Sequence, residues 1–361
     1  MKWSWKLGRL AGIDVHVHAT FFILIAWIVL SHWRAGHSLA SVVTGVAFIL
    51  TLFLCVVLHE LGHALTARRY GIGTRYITLL PIGGVAMLER MPRDPKQEIA
   101  VALAGPMVNV VIALGLWGWL AAVNALVPAD QLSVAGGPFL ERLMVVNIFL
   151  ALFNMLPAFP MDGGRVLRAI LTMRMGHVRA TRTAASIGQG LALVLGLFGL
   201  LVNPFLIFIA LFVWIGAAAE AGSAHMQSAL SGVTVGQAML TDFHAIAPND
   251  TLARVIELTL AGTQKDFPVM AEERVIGVLT QTDLLQGLRA GGEHSTVNEV
   301  MQKDIHNADI AEPLDAVMEK FQTSECRLVS VTSSGRLAGI VNLDNILELL
   351  QFQEILQERE T

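Results

Sequence analysis

The chain has 361 residues, of which 54% are hydrophobic and only 15% are charged. Soluble domains are usually about 45–50% apolar and about 25% charged, so this composition excludes an ordinary soluble enzyme and a disordered chain. The two cysteines, Cys55 and Cys326, lie far apart and predict no disulfide framework. Residues 1–220 carry 16 Lys and Arg against 9 Asp and Glu, whereas residues 221–361 carry 9 against 20. This asymmetry predicts two modules in different solvents.

Six transmembrane helices are predicted from apolar runs that contain almost no charged residues. A span needs about 20 predominantly apolar residues, with a range of about 17–25. The last uncharged run has 37 residues, which is too long for one span, and Asn203-Pro204 divides it near its middle. The predicted spans therefore lie at 17–33, at 42–67, within 99–129, at 143–161, and in the two parts of 183–219.

The basic residues between these spans predict the orientation. If the N-terminus is inside, the inner segments hold 14 Lys and Arg, and the outer segments hold only Arg34 and Arg142. The positive-inside rule favours this arrangement, which makes the chain a multi-pass protein of the cell membrane with both termini in the cytosol. The alternative, that the first segment is a cleaved signal peptide, is disfavoured because its apolar run is long and no A-x-A site follows it.

The C-terminal part repeats itself with a constant offset of 62 residues, as in Leu252 and Leu314 or Gly277 and Gly339. A constant offset predicts a duplicated α/β unit whose two copies pack together. Each copy is expected to contain a short helix, a strand, an amphipathic helix, two strands and a closing helix. The predicted domains are a membrane domain at 1–220, a linker at 221–231, repeats at 232–290 and 294–350, and a polar helical tail at 351–361.

The second predicted span contains His59-Glu60-Leu61-Gly62-His63. On a helix, His59 and His63 stand one turn apart on the same face. Two imidazoles so placed can bind one Zn²⁺, and Glu60 between them can act as the general base on water. Ionisable residues inside a span are expensive in lipid and indicate function. The alternative is a helix end at the membrane interface, where solvated His and Glu cost little.

A third ligand is needed, because zinc in a hydrolase usually takes three protein ligands and keeps one position open. Asp162 is the only acidic residue between Glu141 and Glu220, and it follows Pro157 and Pro160. The helix is expected to unwind there, and irregular backbone at membrane depth must line a protein-enclosed, wet cavity. The competing interpretation of Asp162 is a helix or loop cap beside a Gly-Gly turn.

HELGH at 59–63, together with N-x-L-P-A-F-P-M-D-G-G-R at 154–165, resembles the site-2 protease family of intramembrane zinc metalloproteases. The resemblance covers residues 12–220. It implies peptide-bond hydrolysis within or near the membrane, with His59, His63 and Asp162 as ligands of one zinc ion. It also implies that Glu60 takes a proton from water and returns it to the leaving amine.

Other segments resemble this family more weakly. P-I-G-G-V-A-M-L, which contains Gly83 and Gly84, is similar to a membrane-embedded β-segment that pairs with extended substrate; an interfacial loop is the alternative. Asn154 is expected to donate to the oxyanion or to position substrate, or else to bond a neighbouring helix. Asn109, in A-G-P-x-x-N, is expected either to act at the site or to serve close helix packing. His18 is expected to be structural.

The repeats resemble a tandem CBS pair, or Bateman module, most clearly in G-V-L-T-x-x-D-L, as in the subgroup that includes the sporulation sigma-factor protease. The resemblance implies an adenine nucleotide such as ATP as regulator, with Thr280 and Asp283 at the ribose and phosphate. The second copy has Asn342 and Asn345 instead, which implies one competent or weakened site. A purely structural role in dimerisation is the alternative, so a homodimer through the CBS modules is left open.

The sequence thus predicts a polytopic α-helical membrane protease followed by a cytosolic CBS module. Its expected partners are a single-span membrane protein as substrate, the lipid bilayer and an adenine nucleotide, with no nucleic acid. The alternatives are a CBS-regulated membrane ion or metal transporter and a protease-like scaffold without activity. Against the transporter, the candidate ligands cluster at one depth instead of following a path.

Overall fold

The computed structural model describes residues 3–36, 38–92, 94–126, 137–230, 232–272, 274–323, 328–333 and 336–358. Cys326 and the last three residues of the predicted tail lie outside this part of the chain. The chain divides into two compact units, Met1–Ala224 and His225–Thr361.

The first unit combines one small sheet with helices. Its sheet has the order β1-β2-β3-β4, in which β2 and β3 are parallel and the outer pairs are antiparallel. In chain order the elements are β1 Ser4–Leu10, β2 Ile13–His18, α1 Ala19–Arg34, α2 Leu39–Arg69, β3 Thr74–Leu80, β4 Gly83–Leu88, α3 Pro95–Ala122, α4 Phe139–Asn154, α5 Asp162–Thr172, α6 His177–Leu201 and α7 Phe205–Leu230.

Four helices in the described part of the chain are long and apolar enough to cross a membrane: α2, α3, α6 and the part of α7 at Phe205–Met226. The break at Asn203-Pro204 is confirmed, because α6 ends at Leu201 and α7 begins at Phe205. Their outer faces expose large apolar side chains such as Leu197 and Phe208. Such broad apolar exposure is rare on a soluble protein and fits a lipid environment.

The other two predicted spans are shorter than expected. α1 and α4 have 16 residues each, or about 24 Å at about 1.5 Å per residue, against a hydrocarbon core of about 30 Å. The first was expected to begin at Val17, but Val17 and His18 belong to β2, and the His18 side chain caps α1 by accepting from the Thr20 N–H (3.4 Å). The fourth was expected to reach Met161, but α4 ends at Asn154.

The second unit confirms the duplication. Two clusters of buried side chains occupy equivalent positions: Val269 and Leu252 lie in one, and Val331 and Leu314 lie in the other. Its elements are α8 Val235–Ala238, α9 Leu252–Ala261, β5 Phe267–Ala271, β6 Arg274–Leu279, α10 Gln281–Gly291, α11 Val297–Val300, β7 His306–Asp309, α12 Leu314–Thr323, β8 Leu328–Ser333, β9 Arg336–Asn342 and α13 Leu343–Glu358.

The two repeats exchange their first helices. Val235 of the first repeat is buried in the core of the second, and Val297 of the second is buried in the core of the first. The β-bridges follow the same exchange, because Leu240 pairs with Ile340 just as Val278 pairs with Gln302. Each repeat therefore completes the core of the other, so neither can bury its apolar face alone.

Two segments differ from the predicted domain organisation. The predicted linker at 221–231 is helical up to Leu230, where α7 ends. The predicted tail from 351 onward is a continuation of α13, which runs to Glu358. No Pro or Gly interrupts the chain between residues 340 and 358, so the helix that closes the second repeat continues without a break.

Candidate metal centre and its surroundings

α2 places His59 and His63 one turn apart, and both imidazoles are buried. Their Nε2 atoms lie 3.1 Å from each other. Asp162, the first residue of α5, is also buried, and its Oδ2 lies 3.2 Å from each of the two Nε2 atoms. The predicted two-segment cluster is therefore present: these three side chains form a group that could hold a metal ion.

The turn between α4 and α5 delivers Asp162 to this place. Pro157 and Pro160 lie in the non-helical segment after Asn154, and proline cannot continue a helix. Behind Asp162, α5 packs tightly on that turn, since a Cβ at Gly163 would lie 2.3 Å from the Leu156 carbonyl oxygen. Glycine allows the start of α5 to lie directly on the turn, so Asp162 reaches α2.

A chain of hydrogen bonds fixes the tautomer of His59. The Leu143 carbonyl can only accept, so it receives the Asn147 Nδ2 amide (2.8 Å). Asn147 Oδ1 then accepts from Asn109 Nδ2 (2.9 Å), which leaves Asn109 Oδ1 facing His59 Nδ1 at 2.5 Å. His59 must therefore carry its proton on Nδ1, and its Nε2 presents a lone pair.

His63 is held in the same tautomer by the backbone of α3. Its Nδ1 lies 2.7 Å from the Val101 carbonyl oxygen, which is only an acceptor, so His63 Nε2 also presents a lone pair when the ring is neutral. Metal-ligating histidines commonly donate their other ring N–H to such a partner.

These three atoms suit a zinc ion. Two nitrogen lone pairs and a carboxylate oxygen converge in a buried place, where they repel one another unless a cation lies between them. Their separations of 3.1–3.2 Å are close to the edge of about 3.3 Å expected for a tetrahedron with bonds of 2.0–2.1 Å. The donor set therefore fits zinc with one position left for water or substrate.

Small residues let α3 approach α2 closely enough to support both imidazoles. A Cβ at Gly105 would lie 2.2 Å from His63 Nε2 and 2.6 Å from His59 Nε2. A Cβ at Gly62 would lie 2.8 Å from the Ala104 carbonyl oxygen. The predicted A-G-P segment is thus a close packing surface, and α3 continues through Pro106 without ending.

Glu60 lies beside the last strand of the sheet. Its Oε2 accepts a hydrogen bond from the Ala86 N–H of β4 (3.0 Å). A Cβ at Gly84 would lie 2.8 Å from Glu60 Cγ, whereas one at Gly83 would meet nothing within 4 Å. Gly83 and Gly84 lie in a strand, and Gly84 leaves the room that Glu60 occupies.

Two asparagines of α4, Asn154 and Asn147, make hydrogen bonds through their side-chain amides. Asn154 donates from Nδ2 to the Leu150 carbonyl oxygen of its own helix (3.0 Å). Asn147 is buried and accepts a hydrogen bond from Asn109. It was not among the predicted site residues, and the only feature of the sequence that could have indicated it is an amide inside an apolar helix.

In the second unit, Thr280 and Asp283 form a capping box at the start of α10. Asp283 Oδ2 accepts from Thr280 Oγ1 (2.6 Å) and from Gln302 Nε2 (2.9 Å). Asn342 plays the same capping part in the second repeat, where it accepts from the Asn345 N–H (2.9 Å). These capping contacts explain why Thr280, Asp283 and Asn342 occupy their positions without any bound ligand.

Replacing Asn109 by Ala is expected to weaken metal binding by about 10- to 100-fold, the usual effect of losing a partner of a metal-bound histidine. The reason is that His59 Nδ1 would lose its acceptor and its tautomer would no longer be fixed. Titration of the purified protein with Zn²⁺ against a competing chelator measures this. Val111→Ala is the control, because Val111 lies exposed on the same helix; an Asn109→Ala protein with unchanged affinity would contradict the assigned role.

The fold and the cluster define a helical membrane metalloprotease joined to a CBS pair. The profile of peptidase family M50 matches residues 47–136 and 125–198, and the CBS domain profile matches residues 235–290 and 297–351. The zinc metalloprotease MJ0392 of Methanocaldococcus jannaschii is 32% identical over 366 residues, which cover 99% of both chains. The chain belongs to peptidase family M50, the zinc metalloproteases of the site-2 protease type.

Two more similar proteins match part of the chain. Stage IV sporulation protein FB of Bacillus subtilis is 29% identical over 193 residues, which cover 53% of this chain and 59% of that protein. The solved structure of the site-2 protease from Methanocaldococcus jannaschii is 40% identical and covers 61% of this chain and 95% of that chain, with a TM-score of 0.45.

Proposed function

We propose that this zinc metalloprotease cleaves membrane-spanning proteins within or near the bilayer, with one zinc ion held by His59, His63 and Asp162. The observation that carries the proposal is that three convergent ligands lie beside a carboxylate, Glu60, which is bonded to an edge strand. A zinc ion held there would supply Lewis-acid chemistry, which would lower the pKa of water to about 7 and polarise the substrate carbonyl.

Glu60 is the proposed general base. Its Oε2 is held by the Ala86 N–H, which fixes the carboxylate without consuming its second oxygen. That oxygen takes a proton from water as the scissile carbonyl is attacked, and gives it to the leaving amine afterwards. Asn154 has a second N–H beyond the one bonded to Leu150, and we assign it to the developing oxyanion or to the substrate backbone.

The substrate is proposed to bind in extended form along β4. A helical peptide hides its carbonyls in its own hydrogen bonds, so it must unwind before hydrolysis, and an edge strand can hold it by strand addition. β4 is the last strand of the sheet, and it passes Glu60 at Gly84. A single-span membrane protein is the substrate class that meets these conditions.

The sheet supports six crossings of the membrane. β2 and β3 are neighbouring strands of one sheet, so the chain that leaves through α1 must return through α2 to the same side. In the same way, α4 must return from the far end of α3 to bring Asp162 to His63. Arg68, Arg69 and Arg75 lie on the side of the sheet, and under the positive-inside rule they favour a cytosolic position for this side and for both termini of a cell-membrane protein.

Adenine nucleotide is the proposed regulator at the CBS pair, because Thr280 and Asp283 match the pattern that the resemblance implies. ATP or AMP titrated into the full chain should raise the melting temperature of the second unit. Asp283→Ala should remove this rise, whereas the matched Asn345→Ala should keep it. A melting temperature that neither nucleotide changes would contradict regulation and favour a structural module.

The direct test of the proposed function is co-expression with a set of single-span membrane proteins, followed by mass spectrometry of the fragments. Cuts inside or at the edge of an apolar span, absent after treatment with a zinc chelator, are expected. A protein that binds zinc but only moves it across vesicle membranes would instead support the transporter.

A further inference from the structure

The first unit contains a buried ion-pair cluster that the proposed chemistry does not use. Arg168 of α5 and Glu98 of α3 are both buried, and the Glu98 Oε1 atom accepts from Arg168 Nε (2.7 Å) and from Arg168 Nη2 (2.5 Å). A second carboxylate, Glu220 of α7, pairs with Arg168 Nη1. Taking such charges out of water is costly, and only close, well hydrogen-bonded contacts such as these offset that cost.

Arg168 is attached to the helix that carries Asp162. α5 has 11 residues, so a tether six residues from its start sets both the rotation and the axial position of its first residue. The Arg168 guanidinium also lies 5.2 Å from the centre of the Phe159 ring, in the turn that leads to Asp162. Arg168 therefore contacts the chain on both sides of Asp162: it belongs to α5, which begins at Asp162, and it lies near Phe159, which precedes Asp162.

α3 is the common support of all three ligands. Its Val101 carbonyl holds His63 and its Asn109 holds His59, and its Glu98 holds Arg168. The last contact adds a charged, hydrogen-bonded tether to the packing of α5 against α3 and α6. The histidines and the aspartate come from segments about 100 residues apart in the sequence, so their 3.2 Å separations need such a shared support.

We propose that Arg168, held by Glu98 and Glu220, is a positioning residue that keeps the Asp162 carboxylate in register with His59 and His63. The inference rests on the proposed metal site. It predicts that loss of the Arg168–Glu98 contact changes metal binding in protein that is still folded, because the ligand helix shifts relative to α3.

The test is a titration of detergent-purified full-length protein with Co²⁺, which reports ligand geometry through its absorption spectrum, together with a chelator competition for affinity. Arg168→Gln should weaken Co²⁺ binding at least about tenfold, the lower end for partners outside the ligand set, and alter the spectrum. Arg174→Gln is the matched control, because Arg174 is exposed just after α5 and should behave as wild type.

The double variant Glu98→Gln/Arg168→Gln keeps the test usable if Arg168→Gln does not fold, since it removes both fully buried charges and the remaining carboxylate, Glu220, is 37% exposed to solvent. It should bind Co²⁺ about as weakly as either single variant, because the two residues act as one contact. A lower melting temperature with wild-type affinity and spectrum would overturn the inference and leave Arg168 merely structural. Wild-type protein that binds no Co²⁺ would instead refute the metal site itself.

Discussion

Glu60→Gln is expected to bind zinc as wild type does and to lose cleavage by at least about 100-fold, the lower range for removing a general base. Gln has the same shape, and its amide oxygen can still accept from the Ala86 N–H, so the strand and the metal ligands should not move. The amide cannot take a proton from water. Cleavage of a substrate that wild type cuts, measured beside the zinc content of the same preparation, gives both numbers.

Glu89→Gln is the matched control for this change. Glu89 also accepts from a backbone N–H, that of Gly73 (3.2 Å), but its side chain is exposed. It should cleave at the wild-type rate. Turnover that survives in Glu60→Gln at the wild-type rate would mean that another group removes the proton and that the assignment of Glu60 is wrong.

Gly105→Ala is expected to abolish zinc binding in a protein that still folds. The added methyl group would lie 2.2 Å from His63 Nε2 and 2.6 Å from His59 Nε2, a separation that no side chain tolerates. Both imidazoles would have to turn away from Asp162. The loss of affinity should exceed the 10- to 100-fold typical of changes outside the ligand set, as measured by chelator competition.

The same substitution elsewhere on α3 separates this effect from helix stability. At Gly115 an added Cβ meets nothing within 4 Å, and Ala stabilises a helix interior by about 1 kcal/mol relative to Gly. Gly115→Ala should therefore bind zinc as wild type does, and its melting temperature should be unchanged or higher. If Gly105→Ala also retained wild-type affinity, the packing of α3 against the two imidazoles would be wrong.

The metal cluster could be predicted because each of its residues is marked by a signal within its own short stretch of sequence. His59 and His63 are related by one helical turn, which the sequence spacing states directly. Asp162 could be singled out because acids are rare in that stretch and prolines end the helix before it. The duplicated unit was equally readable, since the offset of 62 residues shows the repeat without any knowledge of the fold.

Contacts between distant segments could not be predicted in the same way. The pairing of β2 with β3 joins strands separated by two helices. The last two residues of β2, Val17 and His18, were interpreted as the start of a span because the uncharged run continues from them into α1. The sequence also gave no reason to pair Arg168 with Glu98, because nothing in the spacing of 70 residues indicates contact. The end of α4 at Asn154 depends on where the buried turn can reach α2.

Zinc content per chain in detergent-purified full-length protein, for wild type, His59→Ala and Asp162→Ala, tests the metal centre most directly and needs no substrate. We expect about one zinc per wild-type chain and a loss in both variants, since each removes one of three convergent ligands. A folded wild type without zinc would contradict the metal centre, and zinc retained in Asp162→Ala would mean that Asp162 is a cap and the third ligand lies elsewhere.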